Sequence, residues 1–302
     1  MADPAATVAG ESGYALPGPH AVAIDDGEWF DAGRGRRLRW RRYRPQVAAT
    51  APTPCVVHSH GLGGSRESGA DWLAHWASWG IAGVAVQHPG TDADACASDS
   101  PLALRHLLRT AVDAAQLAAR RHDLQFALDR IAEEAPPAIG LSGHSFGAAS
   151  ALRLIGERRG GDDRPADPRI AAAVLFSPSA RGGSLPLAER FAGVAMPCLH
   201  LTGSRDDGIG PGDIAAADRR LPFAHMPGPD KYLLSLDGAT HPDFAGMAVR
   251  PPAPARPGAA ALKAVSLGFW RAYLAADAAA AAWLSADDGP LPGVAGQWLR
   301  KR

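Results

Sequence analysis

Ser145 stands between Gly143 and Gly147 in the run Gly143-His144-Ser145-Phe146-Gly147. Apolar Ala138-Ile139-Gly140-Leu141 precedes it and alanine-rich Ala148-Ala149-Ser150-Ala151-Leu152 follows. That pattern predicts a short strand turning sharply into a helix. Such a turn strains its middle residue and leaves room only for small residues two positions away on either side. It lifts the serine hydroxyl above the strand end, at a helix N-terminus, as in a nucleophile elbow. The five-residue string is common by itself; the strand before it and the helix after it make it informative.

A serine hydroxyl is a weak nucleophile until a positioned base takes its proton, and that base needs a carboxylate to hold its tautomer. In an elbow of this kind the chain order is serine, acid, histidine, with acid and base on loops at strand ends. Beyond Ser145 the chain has His200, His225 and His241. His200 lies inside an apolar run and reads as a core residue, and His225 follows Leu221-Pro222-Phe223 in a predicted loop. His241 ends Asp237-Gly238-Ala239-Thr240-His241, directly after a predicted strand, where a turn can direct an imidazole towards Ser145. It is the candidate base. For the acid, the run ending at Gly203 opens into Ser204-Arg205-Asp206-Asp207-Gly208, and spacing leaves Asp206 and Asp207 equal. Asp237 and Asp243 read as local turn or capping residues. An oxyanion formed at the attacked carbonyl needs main-chain donors. The candidates are the amides of Phe146 and of Leu62, in the glycine-rich His60-Gly61-Leu62-Gly63-Gly64.

The elements that must position these groups follow from periodicity. After residues 1 to 19, rich in Ala, Gly and Pro and expected to be poorly ordered, comes a strand-like His20–Ile24, a turn at Asp25-Asp26-Gly27, then Trp29-Phe30. Arg36 to Tyr43 alternates Leu38 and Trp40 with arginines, the period of a half-buried strand. Seven arginines lie between Arg34 and Arg44. They read as the solvated face of an edge strand, where charge blocks aggregation, in preference to a site for an anionic ligand.

Cys55-Val56-Val57-His58-Ser59 is a buried strand, and Trp72, Leu73, Trp76 and Trp79 recur at helical, core-facing spacing. Ile81 to Val86 is a second buried strand, so the unit is strand, helix, strand and implies a parallel sheet. Residues 91 to 118 interrupt the rhythm with an Asp/Ser-rich loop and an apolar stripe of Leu104, Leu107, Leu108 and Val112. This is the candidate for a small helical cap over the site, or else a packed helix. A helical pattern through Leu124, Leu128 and Ile131 then leads to the elbow strand. Further strands are predicted at Ile170–Phe176, Pro197–Gly203 and Tyr232–Leu236, and a Pro-rich hinge at 250–257 precedes a terminal helix. The fold class is α/β: one domain over 1–302, doubly wound, with a mostly parallel sheet and an antiparallel N-terminal strand pair.

Composition narrows the function. Lys plus Arg and Asp plus Glu are 31 each, which argues against nucleic acid or an anionic membrane as main partner. Three cysteines supply no disulfide framework. His58 and His60 lie two apart, but no H-E-x-x-H or C-x-x-C cluster accompanies them, so no metal or cofactor is expected. The first residues carry neither a basic nor an apolar leader segment and no run reaches membrane-span length, which predicts a soluble, cytoplasmic protein.

With these residues in place, Ser59-His60-Gly61-Leu62-Gly63-Gly64-Ser65-Arg66-Glu67, His88-Pro89-Gly90, the elbow, and Leu236-Asp237-Gly238-Ala239-Thr240-His241 together resemble a known group. It is the bacterial α/β-hydrolases known as predicted dienelactone hydrolases, similar in turn to platelet-activating-factor acetylhydrolases and cutinase-like polyester hydrolases. The likeness runs from about Trp29 to Phe244, most of the chain. It implies an α/β-hydrolase fold with Ser145 as nucleophile, His241 as base and donors at Leu62 and Phe146. The acid of the group stands three residues after glycine, which favours Asp206; cutinase-like relatives place it one later with x-Ile following, as Asp207-Gly208-Ile209 does. True dienelactone hydrolases carry cysteine at the elbow, where this chain has serine, so lactone substrates are not implied. The expectation is a cofactor-free serine carboxylic-ester hydrolase that forms an acyl-enzyme from a small-molecule or polymeric ester. Thioesterase, amidase or acyltransferase chemistry on the same residues is the alternative, and a non-catalytic binding protein on this fold is the rival from another class.

Overall fold

The computed structural model describes residues 13–46, 52–97, 114–161, 163–208, 214–247, 258–287 and 289–302. The strands are β1 (Val22–Asp31), β2 (Arg36–Pro45), β3 (Cys55–Ser59), β4 (Ala82–Val86), β5 (Ile139–His144), β6 (Ile170–Phe176), β7 (Cys198–Arg205), β8 (Lys231–Thr240) and β9 (Gly296–Lys301). The helices are α1 (Ala70–Ser78), α2 (Ala93–Cys96), α3 (Ala114–Ala132), α4 (Phe146–Leu154), α5 (Leu187–Phe191), α6 (Leu221–His225), α7 (Ala259–Leu274) and α8 (Ala278–Leu284). Among the described residues the strands form one sheet in the order β1-β2-β4-β3-β5-β6-β7-β8-β9. β3 to β8 run parallel; β2 joins β4 antiparallel and β9 joins β8 antiparallel.

The central strands are apolar on both faces because helices cover both. Along β6, Ala172, Val174 and Phe176 enter one core with Trp72, Trp76 and Trp270, whereas Ala173 and Leu175 enter the other with Leu124, Leu128 and Leu152. Strand side chains alternate faces, so a strand clad on both sides must be continuously apolar. The tryptophans of α1 are core residues, as their spacing predicts: Trp72 stacks on Phe176 and Trp76 meets Trp270 edge-on.

Three expectations change, and one strand is added. Asp25-Asp26-Gly27 is not a turn but the middle of a continuous β1, which β2 holds in register. The aspartates look like turn residues, yet each faces a cross-strand arginine: Asp25 accepts from Arg44 and Asp26 from Arg41. β2 is not an edge strand, since it lies between β1 and β4. Its arginines are matched by carboxylates, Arg37 by Glu28, Arg39 by Asp94 and Arg42 by Glu134. The C-terminal β9 has no sequence signal strong enough to separate it from a tail. Finally, within the segment expected to be poorly ordered, Tyr14 is buried edge-on between Trp79 and Trp283. Residues 1–12, the apolar stripe from Leu104 to Val112 and the hinge at 250–257 lie outside the described residues; the cap expected over 91–118 is described only at α2 and at the start of α3.

None of the described helices is long and apolar enough to cross a membrane. The core does contain titratable groups. Burial pushes His58 and His200 down to about 3 and His75 and His88 down to about 4, and holds His60 and His144 well below the ordinary value. These rings are neutral in the fold, whereas in the unfolded chain they take up protons below about pH 6.5. Stability is therefore full above about pH 6.5 and falls as the pH drops towards the folded values, by up to about 1.4 kcal/mol per pH unit per ring. Urea unfolding is expected to show a clearly lower midpoint at about pH 5 than at about pH 7.5. An unchanged midpoint would contradict the neutral, buried assignment.

Candidate active site

The parallel strands deliver their C-terminal ends to one edge of the sheet, and the predicted side chains meet there. Ser145 follows β5 with φ 55° and ψ −114°, a conformation L-residues rarely hold. Two close approaches impose it. A Cβ on Gly147 would stand 1.9 Å from the Ser59 carbonyl oxygen, and one on Gly143 would stand 2.4 Å from the Gly147 carbonyl oxygen. The helix α4 therefore starts pressed onto β3 and β5, with the Ser145 amide donating to the Phe176 carbonyl at 2.9 Å.

His241 begins the short 3-10 turn after β8, with Asp243 capping the turn through the Thr240 amide and hydroxyl at 2.7 and 2.8 Å. The His241 ring spans the gap: Nε2 lies 2.9 Å from Ser145 Oγ and Nδ1 lies 2.6 Å from Asp206 Oδ1. Asp206 follows β7 and is fully buried, and the Thr202 hydroxyl donates to its Oδ2 at 2.7 Å. Asp207, the other candidate, is exposed and accepts from the Ala216 amide at 3.0 Å. The chain turns here, with the Asp206 amide donating to the Gly203 carbonyl at 3.2 Å, and only Asp206 faces the imidazole. His200 is a buried strand residue whose Nδ1 donates to the Tyr232 carbonyl at 3.0 Å, and His225 ends α6; neither approaches the serine group.

The loop His60–Gly64 runs beside the serine. A Cβ on Gly61 would sit 3.4 Å from Ser145 Cβ and 3.0 Å from His144 Nδ1. The main-chain amides of Leu62 and Phe146 donate to no other protein group among the described residues. Two unmet main-chain donors, one in the loop beside Ser145 and one on the residue after it, are chemically suited to an anionic oxygen.

Beneath that loop lies a polar network with no motif to announce it. The His88 amide donates to His60 Nε2 at 2.9 Å, so the His60 proton sits on Nδ1, which donates to the Gly61 carbonyl at 2.6 Å. That carbonyl belongs to the same peptide unit as the Leu62 amide. Arg120, fully buried in α3, donates to the His60 carbonyl and to the Ser59, Thr91 and Ser150 hydroxyls, the last three at 3.0, 2.8 and 3.0 Å. Its guanidinium also lies 4.6 Å from the Phe146 ring centre. Burial pushes Arg120 down to about 9, with Asp123 and Asp92 opposing that shift. The Ser59 hydroxyl then donates to His88 Nε2 at 3.0 Å and His88 Nδ1 donates to Asp123 at 3.1 Å. Burial works to raise Asp123, but hydrogen bonds from His88 and Arg36 outweigh it and hold the carboxyl below the ordinary range. One arginine therefore ties together the strand before Leu62 and the helix that carries Phe146.

His144 completes the surroundings: its Nε2 donates to the His241 carbonyl at 3.3 Å, and the two rings are 4.8 Å apart. His58 and His60 face separate partners, since His58 Nδ1 meets Ser142 Oγ at 2.8 Å.

No protein-family model matches the chain, and no curated protein matches it. Among solved structures it is similar to the PEG-bound complex of a cold-adapted esterase from an Arctic intertidal metagenomic library. The TM-score is 0.55 at 20% identity, covering 73% of this chain and 86% of that one. At that identity the likeness is one of fold. With the sheet order and the strand–elbow–helix at its centre, the fold is that of the α/β-hydrolases.

Proposed function

We propose that this chain is a serine hydrolase of carboxylic esters, working through an acyl-enzyme on Ser145. One observation carries the reading: a single imidazole joins the Ser145 hydroxyl at one nitrogen and a buried carboxylate at the other. The esterase among its structural neighbours and the likeness of its motifs to predicted dienelactone hydrolases support esters as the substrate class.

The chemistry follows from proton placement. With Nδ1–H donated to Asp206, His241 Nε2 holds a lone pair and accepts the Ser145 proton as Oγ attacks the ester carbonyl. Asp206 stabilises the imidazolium that forms. The carbonyl oxygen takes up the electron pair and accepts hydrogen bonds from the Leu62 and Phe146 amides, each donor worth about 3–4 kcal/mol in the transition state. The imidazolium then returns the proton to the departing alkoxide, releasing the alcohol and leaving an ester on Ser145. Water repeats the sequence against that ester and frees the acid. Every group needed for this cycle belongs to the chain.

A fluorophosphonate probe tests the reading directly, because it phosphonylates only an activated serine. The expected result is stoichiometric labelling on the peptide containing Ser145, with turnover of short-chain aryl esters lost in parallel. An unlabelled protein, or label elsewhere, would overturn it. Higher kcat/KM on thioesters or amides than on esters would transfer the same mechanism to another acyl class.

A further inference from the structure

Arg219 is 2% exposed, in the short 3-10 turn Ala216–Arg220, and its guanidinium is held by two main-chain carbonyls beside His241. Nε donates to the Asp206 main-chain carbonyl at 3.0 Å and lies 3.5 Å from Asp206 Oδ1. Nη1 donates to the Ser177 carbonyl at 3.0 Å. Nη2 stands 3.2 Å from His241 Nδ1. Ser177 is the residue after Phe176, whose carbonyl receives the Ser145 amide. The arginine thus ties the acid loop to the strand end beside the nucleophile.

Its charge has a second consequence. His241 Nδ1 faces Asp206 Oδ1 at 2.6 Å and an arginine N–H donor at 3.2 Å, and a neutral ring nitrogen carries either a proton or a lone pair. With a lone pair on Nδ1, Arg219 donates to it and Asp206 must be protonated to lie so close. The ring proton then sits on Nε2, where Ser145 cannot deliver its own. With a proton on Nδ1, an ionised Asp206 accepts it and Nε2 is open. The charge on Asp206 therefore selects the tautomer. Burying a carboxylate is costly unless a cation accompanies it. Apart from His241 itself, Arg219 is the cation within ion-pair distance of Asp206 among the described residues. The other titratable ring packed on His241 is His144, held neutral by burial.

We propose that Arg219 is a positioning residue of this site: it anchors the Asp206 main chain and sets a cation beside the buried Asp206 carboxylate, so that His241 holds its proton on Nδ1 and presents an open Nε2 to Ser145. This rests on the hydrolase reading above and adds a residue to it. Nothing in Ala217-Asp218-Arg219-Arg220 marks this arginine among its neighbours in the sequence.

The test compares Arg219→Gln, Arg219→Lys and Arg219→Ala, each checked for near-UV circular dichroism. The readouts are kcat and KM on an aryl ester, the phosphonylation rate, and the low-field proton resonance of an imidazole N–H bound to carboxylate. Arg219→Gln is expected to lose about 10- to 100-fold in kcat and phosphonylation rate with KM within about twofold, and to lose the low-field resonance. Arg219→Lys should regain about tenfold and keep the resonance, and added guanidinium ion should raise turnover by Arg219→Ala. If the glutamine and alanine variants do not fold, the lysine variant decides: resonance kept supports the proposal, resonance and activity both lost overturns it. A folded Arg219→Gln with unchanged kcat, or one that loses activity while keeping the resonance, also overturns it. The two readings separate in the wild-type protein. If it shows neither turnover nor phosphonylation, the hydrolase reading fails, while the response of the resonance to Arg219→Gln still tests the arginine.

Discussion

Ser145→Ala is expected to lower kcat on a short-chain aryl ester by about 10⁶-fold, because removing a nucleophile costs about as much as removing the whole group that acts with it. The residual rate, about 10³–10⁴ above water, would come from substrate binding and the Leu62 and Phe146 amides. The substitution deletes one oxygen at a half-buried position and leaves the backbone as strained as before, since alanine is no easier at φ 55° than serine. Its unfolding free energy should therefore match the parent's within about 0.5 kcal/mol. The comparison requires protein free of contaminating host esterases, checked by loss of fluorophosphonate labelling in the same sample. A drop of only tenfold would mean that another group attacks the ester, and the acyl-enzyme on Ser145 would have to be abandoned.

The second large effect separates two neighbouring aspartates. Asp206→Asn is expected to lower kcat by about 10⁴-fold while Asp207→Asn stays within about twofold of the parent. The asymmetry follows from what each side chain meets. Asp206 is buried, receives the Thr202 hydroxyl on one oxygen and His241 Nδ1 on the other. In Asp206→Asn the amide oxygen can accept from Thr202, which turns the amide nitrogen towards the imidazole. A donor facing Nδ1 forces the ring proton onto Nε2, and the base is then unable to accept from Ser145. Asp207 faces solvent and accepts from the Ala216 amide, so its loss disturbs a loop turn. A large loss in Asp207→Asn with a silent Asp206→Asn would reverse the assignment.

These two variants also mark the boundary of what local sequence can carry. The glycines around Ser145 announce a sharp turn because a side chain at either position would collide with backbone. At Gly143 the collision is with Gly147, a contact between near neighbours and so legible, whereas at Gly147 it is with Ser59 on β3, which only the fold brings there. His241 stands out in the same way, directly after a strand. Spacing alone leaves Asp206 and Asp207 equal, and only the resemblance favours Asp206, because nothing local says which of two neighbouring side chains meets a histidine 35 residues on.

Misread elements share one cause. Asp25-Asp26-Gly27 has the composition of a turn, and it is a strand only because Arg41 and Arg44 lie across from it. The arginines of β2 suggested an edge, but β4 occupies the far side of that strand. Tyr14 sits in a stretch with the composition of a loose terminus, yet Trp79, from the loop after α1, and Trp283, from α8, enclose it edge-on. Arg120 and Arg219 carried no signal at all, since the groups they bind are 29 to 61 residues away in one case and 13 to 42 in the other.

Sequence alone determined the α/β class, the position of the elbow, the histidine whose ring meets Ser145 and the glycine loop beside it, because steric limits and hydrophobic period act over a few residues. Tertiary structure decided which aspartate faces that histidine, that the Leu62 and Phe146 amides are left without protein partners, and which arginines brace the two loops. Those are long-range matters of charge and hydrogen bonding in a buried site, where a polar group keeps its place only if a partner from elsewhere in the chain meets it.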